Sequence, residues 1–431
     1  MPLTRSPLRR LAAAGLTLGL ALVTCAATTV PATALAGPPA AAPAAALDRA
    51  LLRQTLDAVR DAGMYGLYSA VHDGRERWQG ASGVADVRTR RPVRPDMVHR
   101  VGSITKTFTT VALLQQAERG RLELDAPIAR YLPDVVPGEL GQAVTVRMLL
   151  NHTSGIGDYV VGAFPSLAVG SPASLDDNRF HRFTPRQLVA HGLAAPATGE
   201  PGQRFSYSNT NYVIAGLLLS KLTGGDAEGY ITRHVIRKAG LRDTAFPRTP
   251  FIPGPHSKGY EALYGLIDPP RDYSVYDMSW AYTAGAVVAT MDDLSAFYRA
   301  LLTGRLIGPR WLAEMQTTVT VPDAAGDTVF YGLGIYAMDL PCGRFWGHDG
   351  AVFGYGTISM SSADASRQFS VGINLMKYQR VDENGQAEAH AIDFALRDHV
   401  FAAGCGTSAA ATRSAVPPNV FRMDGRPFFV K

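Results

Sequence analysis

The chain has 431 residues, of which 46% are hydrophobic and 18% charged, with a formal net charge of +5 at pH 7. That length is ample for a large core of more than one layer. No Lys/Arg run or aromatic-basic interleaving marks a nucleic-acid surface, and no His-x-x-x-His or Cys-x-x-Cys spacing marks a metal centre.

Residues 1–36 read as a secretory signal. Arg5, Arg9 and Arg10 form a basic start, Leu11 to Leu22 an apolar stretch, and Ala34-Leu35-Ala36 a small-x-small cleavage site before Gly37. Cleavage removes three arginines and no acid, so the basic balance says little about partners. Pro31 and the Ala-x-Ala site favour cleavage over an uncleaved anchor through Leu11 to Val30, and Thr24 argues against a lipidated Cys25. With no second long apolar segment, the mature protein is expected to be secreted, off the membrane and monomeric. Residues 37–46 form a low-complexity lead-in.

The folded domain is expected over 47–405. Leu47 to Ala62 has the period of an amphipathic helix. Gly66 to His72 and Arg75 to Ala81 read as a hairpin around Asp73-Gly74. A helix opens at Ser103, continues through Thr107 to Arg119 and stops at Gly120. Residues from about 121 to 300 are mainly helical with many Gly and Pro breaks, and include the apolar helix Tyr212 to Leu222. Tyr331 to Leu340, Arg344 to Gly347, Gly354 to Ser361 and Phe369 to Leu375 then read as successive antiparallel strands. Ala363 to Ser366 turns between the last two, and Glu388 to Phe401 closes as a helix. Strands at both ends with helices between predict an α/β fold of the α+β type. It has one antiparallel sheet from both chain ends, flanked by helices, with an inserted helical subdomain. Cys342 and Cys405, the two cysteines left after cleavage, are expected to pair. Residues 406–431 form a tail.

The chemistry is concentrated in three short segments. Ser103-Ile-Thr-Lys106 puts a lysine one helical turn from a serine, on the same face. A desolvated lysine can take the serine proton and make the hydroxyl a nucleophile. Ser-x-x-Lys is the signature of penicillin-recognising acyl-serine enzymes, but alone it arises easily by chance. Tyr207-Ser208-Asn209 supplies a phenol for proton exchange and an amide to bind a substrate carbonyl. His348-Asp349-Gly350 follows an apolar strand, and a glycine there lets an extended substrate approach the backbone. The N–H groups of Ser103 and Ala351 would form the oxyanion hole.

With these motifs in this order, the chain resembles the class C β-lactamase and DD-peptidase family of penicillin-recognising serine hydrolases. Within it the chain is most similar to secreted, soluble D-alanyl-D-alanine carboxypeptidase/transpeptidases. The resemblance spans about Asp48 to Cys405. It rests on Val101-Gly-Ser-Ile-Thr-Lys-Thr-Phe108, Leu150-Asn-His-Thr-Ser-Gly155, Tyr207-Ser-Asn-Thr-Asn-Tyr212, Ser279-Trp280, Ala284-Gly-Ala-Val287, Tyr331-Gly-Leu-Gly334 and Gly347-His-Asp-Gly350. It implies a nucleophile at Ser103, a base at Lys106, a proton relay at Tyr207, a third-motif residue at His348 and no cofactor. It also implies substrate contacts from Asn209, Trp280, Gly350 and Ala351, supports a Cys342–Cys405 bridge, and leaves the tail open to trimming. The substrate it implies is a peptide or ester, with β-lactams as acylating ligands.

Two departures bear on specificity. The arginine with which such carboxypeptidases grip a terminal carboxylate is missing from Ile335-Tyr-Ala-Met338. The hydroxyl residues flanking the third-motif glycine are replaced by Asp349 and Ala351. An acid beside the site would repel a carboxylate, while Arg344, four residues before His348, is a candidate substitute clamp. The leading expectation is a D-alanyl-D-alanine carboxypeptidase-like enzyme. Its alternative is an esterase, D-aminopeptidase, β-lactamase or peptide acyl transferase on the same scaffold. A non-catalytic penicillin binder is disfavoured by the complete set of reactive residue types, and an α/β-hydrolase by the lack of Gly-x-Ser-x-Gly.

Overall fold

The computed structural model describes residues 47–322, 328–383 and 385–406. The signal, the lead-in and the tail beyond Gly406 lie outside the described residues. The first helix, α1 (Arg49–Asp61), starts where Asp48 accepts the N–H of Leu51, and buries Leu52, Leu56 and Val59. Among the described residues, the other helices of twelve residues or more are α2 (Thr105–Glu118), α3 (Asn209–Thr223), α4 (Met291–Leu302) and α5 (Ala391–Cys405).

One antiparallel sheet is built from both ends of the chain, as expected. The N-terminal part gives β1 (Gly66–Asp73), β2 (Glu76–Asp86) and the short β3 (Arg91–Pro92). The C-terminal part gives β4 (Val319–Pro322), β5 (Thr328–Tyr331), β6 (Tyr336–Leu340), β7 (Gly343–Val352), β8 (Tyr355–Ser362) and β9 (Arg367–Ile373). Their spatial order is β3-β2-β1-β9-β8-β7-β6-β5-β4. The first and last strands therefore meet, Leu67 opposite Ile373 and Asp73 opposite Arg367.

Helices α1 and α5 pack on each other, and their apolar faces share a core with Val71, Ile358, Phe369 and Val371 of the sheet. Fully burying each such side chain is worth about 1.5–3 kcal/mol before ordering costs. Helix α4 packs against β1, β8 and β9, where Ser295 Oγ and Ser359 Oγ both bond Ser370 Oγ. Between α2 and α4, short helices and turns surround α3. Its buried Val213 and Leu218 belong to the core that also holds Val111, Leu149 and Leu150.

The structure departs from the expected elements in ways that matter for the site. Tyr331 to Leu340 is two strands rather than one. Gly332 to Ile335 breaks them apart, and Gly334, at φ +63°, lies so close to α2 that a Cβ would strike Thr110 Oγ1 and come within 3.0 Å of the Lys106 carbonyl. The segment read as Arg344 to Gly347 runs on to Val352, because β8 pairs with it continuously from Phe345↔Ser362 to Val352↔Tyr355. On its other side β6 pairs only as far as Gly347. From His348 onward, no strand among the described residues covers that flank, so β7 is an inner strand in its first half and an edge in its second. The hairpin turn falls at Gly74-Arg75, one residue later than read, with Asp73 and Glu76 as the last pair. Two-residue strands such as His99–Arg100 against Val288–Ala289 were not foreseen, since two residues carry no periodicity.

The expected disulfide joins Cys342, in the β6–β7 turn, to Cys405 at the end of α5, across a sequence separation of 63. Closing a loop of that size removes enough freedom from the unfolded chain to contribute about 4 kcal/mol. Reduction, or a Cys342→Ala/Cys405→Ala double variant, is expected to lower the calorimetric transition temperature. An unchanged transition would contradict this.

A second prediction concerns acid. His99, His348 and His399 are fully buried, and burial pushes each pKa down to about 3. The unfolded chain takes up these protons near pH 6.5 and the folded chain does not. Stability is therefore lost as pH falls from about 6.5 towards about 3. The transition temperature should decline through that window, and less steeply in a His399→Gln variant. An identical slope in that variant would refute the assignment.

Candidate active site

Ser103 sits in a single 3-10 turn, Gly102–Ile104, that runs directly into α2. The turn is anchored behind by Val101 N–H to Val287 O and in front by Val287 N–H to Thr105 Oγ1. Gly102 has φ +54°, and a Cβ on it would lie 2.7 Å from the Ala351 nitrogen. A Cβ on Gly350 would lie 2.7 Å from the Ser103 nitrogen and strike the Val101 carbonyl. Two glycines thus let β7 press against the serine turn, with the main chain of Ala351 close to that of Ser103.

Lys106 has no exposed surface and Ser103 only 3%. Lys106 Nζ lies 2.9 Å from Ser103 Oγ, 2.7 Å from Asn209 Oδ1 and 2.9 Å from the Ala284 carbonyl. Asn209 Oδ1 and the Ala284 oxygen can only accept. They take two N–H bonds of the amine, and the remaining direction of Nζ, whether N–H or lone pair, faces the serine hydroxyl. A neutral Lys106 in this cradle points its lone pair at the proton it must remove.

Asn209, expected to bind substrate, is first of all the lysine's support. Its backbone N–H and its Nδ2 both donate to Asp158 Oδ2, at 2.9 and 2.8 Å, which fixes the amide so that Oδ1 faces Lys106. Asp158 Oδ1 accepts the N–H of Val160. Burial pushes the Asp158 carboxyl above the usual range, while these N–H groups and the Lys106 charge pull it back. Sequence reasoning missed Asp158. Its only signal was an acid three residues after the Leu150–Gly155 motif.

The Tyr207 ring stands 4.8 Å from Lys106 Nζ. His348 is close by, with ring centroids 6.4 Å apart. His348 Nδ1 donates to the Asp349 carbonyl, and its Nε2 accepts from Tyr331 Oη at 2.9 Å. Burial and the Lys106 charge keep the imidazole neutral. Both ring nitrogens of His348 are thus committed to Asp349 and Tyr331. By alternation Gly350 shares a face with His348.

The remaining expectations separate. Trp280 stands in an aromatic wall with Phe164 and Phe353, at 5.5 and 5.3 Å, four residues before the Ala284 carbonyl that holds Lys106. The Asp349 carboxylate, on the opposite face from Gly350, is fully buried rather than set at an open mouth. Arg344 does not serve as a clamp here: its Nε and Nη2 fork onto Asp339 at 2.7 and 2.8 Å on the exposed side of the β6–β7 hairpin.

Known proteins resemble this chain in sequence and fold. A D-stereospecific amidohydrolase from Streptomyces superposes with a TM-score of 0.72 at 36% identity, over 84% of this chain and 99% of that one. Among curated proteins, esterase EstB of Burkholderia gladioli is 31% identical over 197 residues, 44% of this chain and 49% of that protein. A putative penicillin-binding protein, PbpX of Bacillus subtilis, is 25% identical over 280 residues, or 64% of this chain. The chain spans 63% of the length of that Bacillus relative. Residues 49–392 match the Beta-lactamase family. That match covers most of the chain, which belongs to this family of penicillin-recognising serine hydrolases.

Proposed function

We propose that the protein is a secreted, monomeric D-stereospecific amidohydrolase that acylates Ser103 with the acyl part of a D-aminoacyl amide, ester or short peptide. The observation that carries this reading is the charge pattern around the nucleophile. Arg344 is spent on Asp339, so the clamp suggested for a leaving-group carboxylate is engaged elsewhere. Asp158 instead places a half-buried carboxylate on the amide of Asn209. Three N–H groups occupy three of its roughly four acceptor sites, which leaves room for one more donor, such as a substrate ammonium group. The similarity to a D-stereospecific amidohydrolase supports the same reading.

In the proposed mechanism Ser103 Oγ gives its proton to Lys106 as it attacks the carbonyl carbon. The N–H groups of Ser103 and Ala351 hold the oxyanion. The proton passes by way of Tyr207 to the leaving nitrogen or oxygen as the C–N or C–O bond breaks, and water then resolves the ester. The D-alanyl-D-alanine carboxypeptidase expected from the sequence is the second reading, favoured by the likeness to a penicillin-binding protein.

Two measurements test this. Fluorescent penicillin should label the wild type and leave Ser103→Ala unlabelled; a label that persists in that variant would refute the nucleophile. On a panel of D-phenylalanine amide, its N-acetyl derivative and a D-Ala-D-Ala peptide acid, the free-amine amide should be preferred. Asp158→Asn should raise its KM about tenfold, or ~1.4 kcal/mol, and leave the KM of the N-acetyl compound unchanged, while any loss of kcat through Asn209 is shared by both substrates. Preference for the peptide acid would establish the second reading instead.

A further inference from the structure

His152 lies in the Leu150–Gly155 motif, to which the mechanism so far assigns no task. Its backbone sits at φ +60°, a left-handed conformation uncommon for residues other than glycine. In that conformation one residue reaches both sides of Tyr207. Its carbonyl accepts the N–H of Ser206 at 2.8 Å, and its Nδ1 accepts the N–H of Ser208 at 3.1 Å. The imidazole lies against the tyrosine ring itself, with centroids 4.2 Å apart.

The rest of the imidazole's chemistry is consistent with a clasp. A backbone N–H can only donate, so Nδ1 is the unprotonated nitrogen. Asn211 Nδ2 adds a second, longer contact to it at 3.4 Å, and Ser154 Oγ orients that amide by donating to Asn211 Oδ1. Nε2 is buried and finds no hydrogen-bond partner, so the ring's polar bonds all run through Nδ1 to the Tyr207–Asn211 segment. Burial, with the charge of Lys106, keeps the imidazole neutral, and Nδ1 remains an acceptor.

We propose that His152 is a positioning residue for Tyr207: it holds the main chain on both sides of the tyrosine and packs on its ring, setting the phenol against Lys106. This rests on the reading of Tyr207 as proton carrier. A misplacement of about 1 Å at such a group costs on the order of 10²-fold in rate, so the effect should fall on kcat rather than KM.

A double-mutant cycle tests it, with hydrolysis of D-alanine p-nitroanilide as the readout. His152→Leu, which removes the acceptor and keeps the bulk, should lower kcat about 100-fold with KM within about twofold. In a Tyr207→Phe background the same change should cost less than about twofold. His152→Asn keeps an acceptor near Nδ1 and tolerates positive φ, and should recover about tenfold of the loss. If His152→Leu does not fold, the His152→Asn cycle carries the same comparison. Equal losses in both backgrounds would overturn the inference while leaving the role of Tyr207 intact. A Tyr207→Phe enzyme with undiminished kcat would overturn both.

Discussion

A buried lysine needs three acceptors, and no single segment of this chain supplies them. Leaving such a cation unmatched costs several kcal/mol. Lys106 is satisfied only when the head of α2, the first residue of α3 and the Ala284 carbonyl converge on it. That requirement explains why the surrounding structure is tied together as it is. Thr109 Oγ1 donates to the Thr283 carbonyl, and Thr283 Oγ1 to the Tyr212 carbonyl. A Cβ on Gly216 would strike Thr283. The helical region is best understood as the frame that delivers two carbonyl-type oxygens to one amine.

The polar environment of the site is as notable for where it withholds charge. Two neutral imidazoles, His152 and His348, stand beside Tyr207 and Tyr331. Burial keeps both rings uncharged, so neither sets a fixed cation beside the amine that must accept the Ser103 proton.

Much of this was legible from residues, but unevenly. The Ser103–Lys106 pair, the Tyr207 segment and the sheet from both chain ends follow from local spacing and periodicity, and the structure has the expected elements there. The broken strand at Gly332 to Ile335 does not, since its cause is the proximity of α2 more than 200 residues earlier in the chain. Asp158 was invisible for a related reason: an acid in a glycine-rich loop has no pattern until Asn209 is placed against it. Arg344 shows the limit of alternation. Counting by twos puts it on the same face as His348, but says nothing of Asp339, its cross-strand partner.

The half-covered strand β7 carries a consequence for chirality. Its flank beyond Gly347 faces the serine turn with no neighbouring strand among the described residues. A substrate lying along that flank would have its direction and register dictated by main-chain hydrogen bonds. Once these are dictated, each α-carbon has one substituent directed to a given side, and mirror inversion exchanges the side chain for the hydrogen. Handedness would then be read by the backbone of the enzyme before any side-chain pocket is consulted.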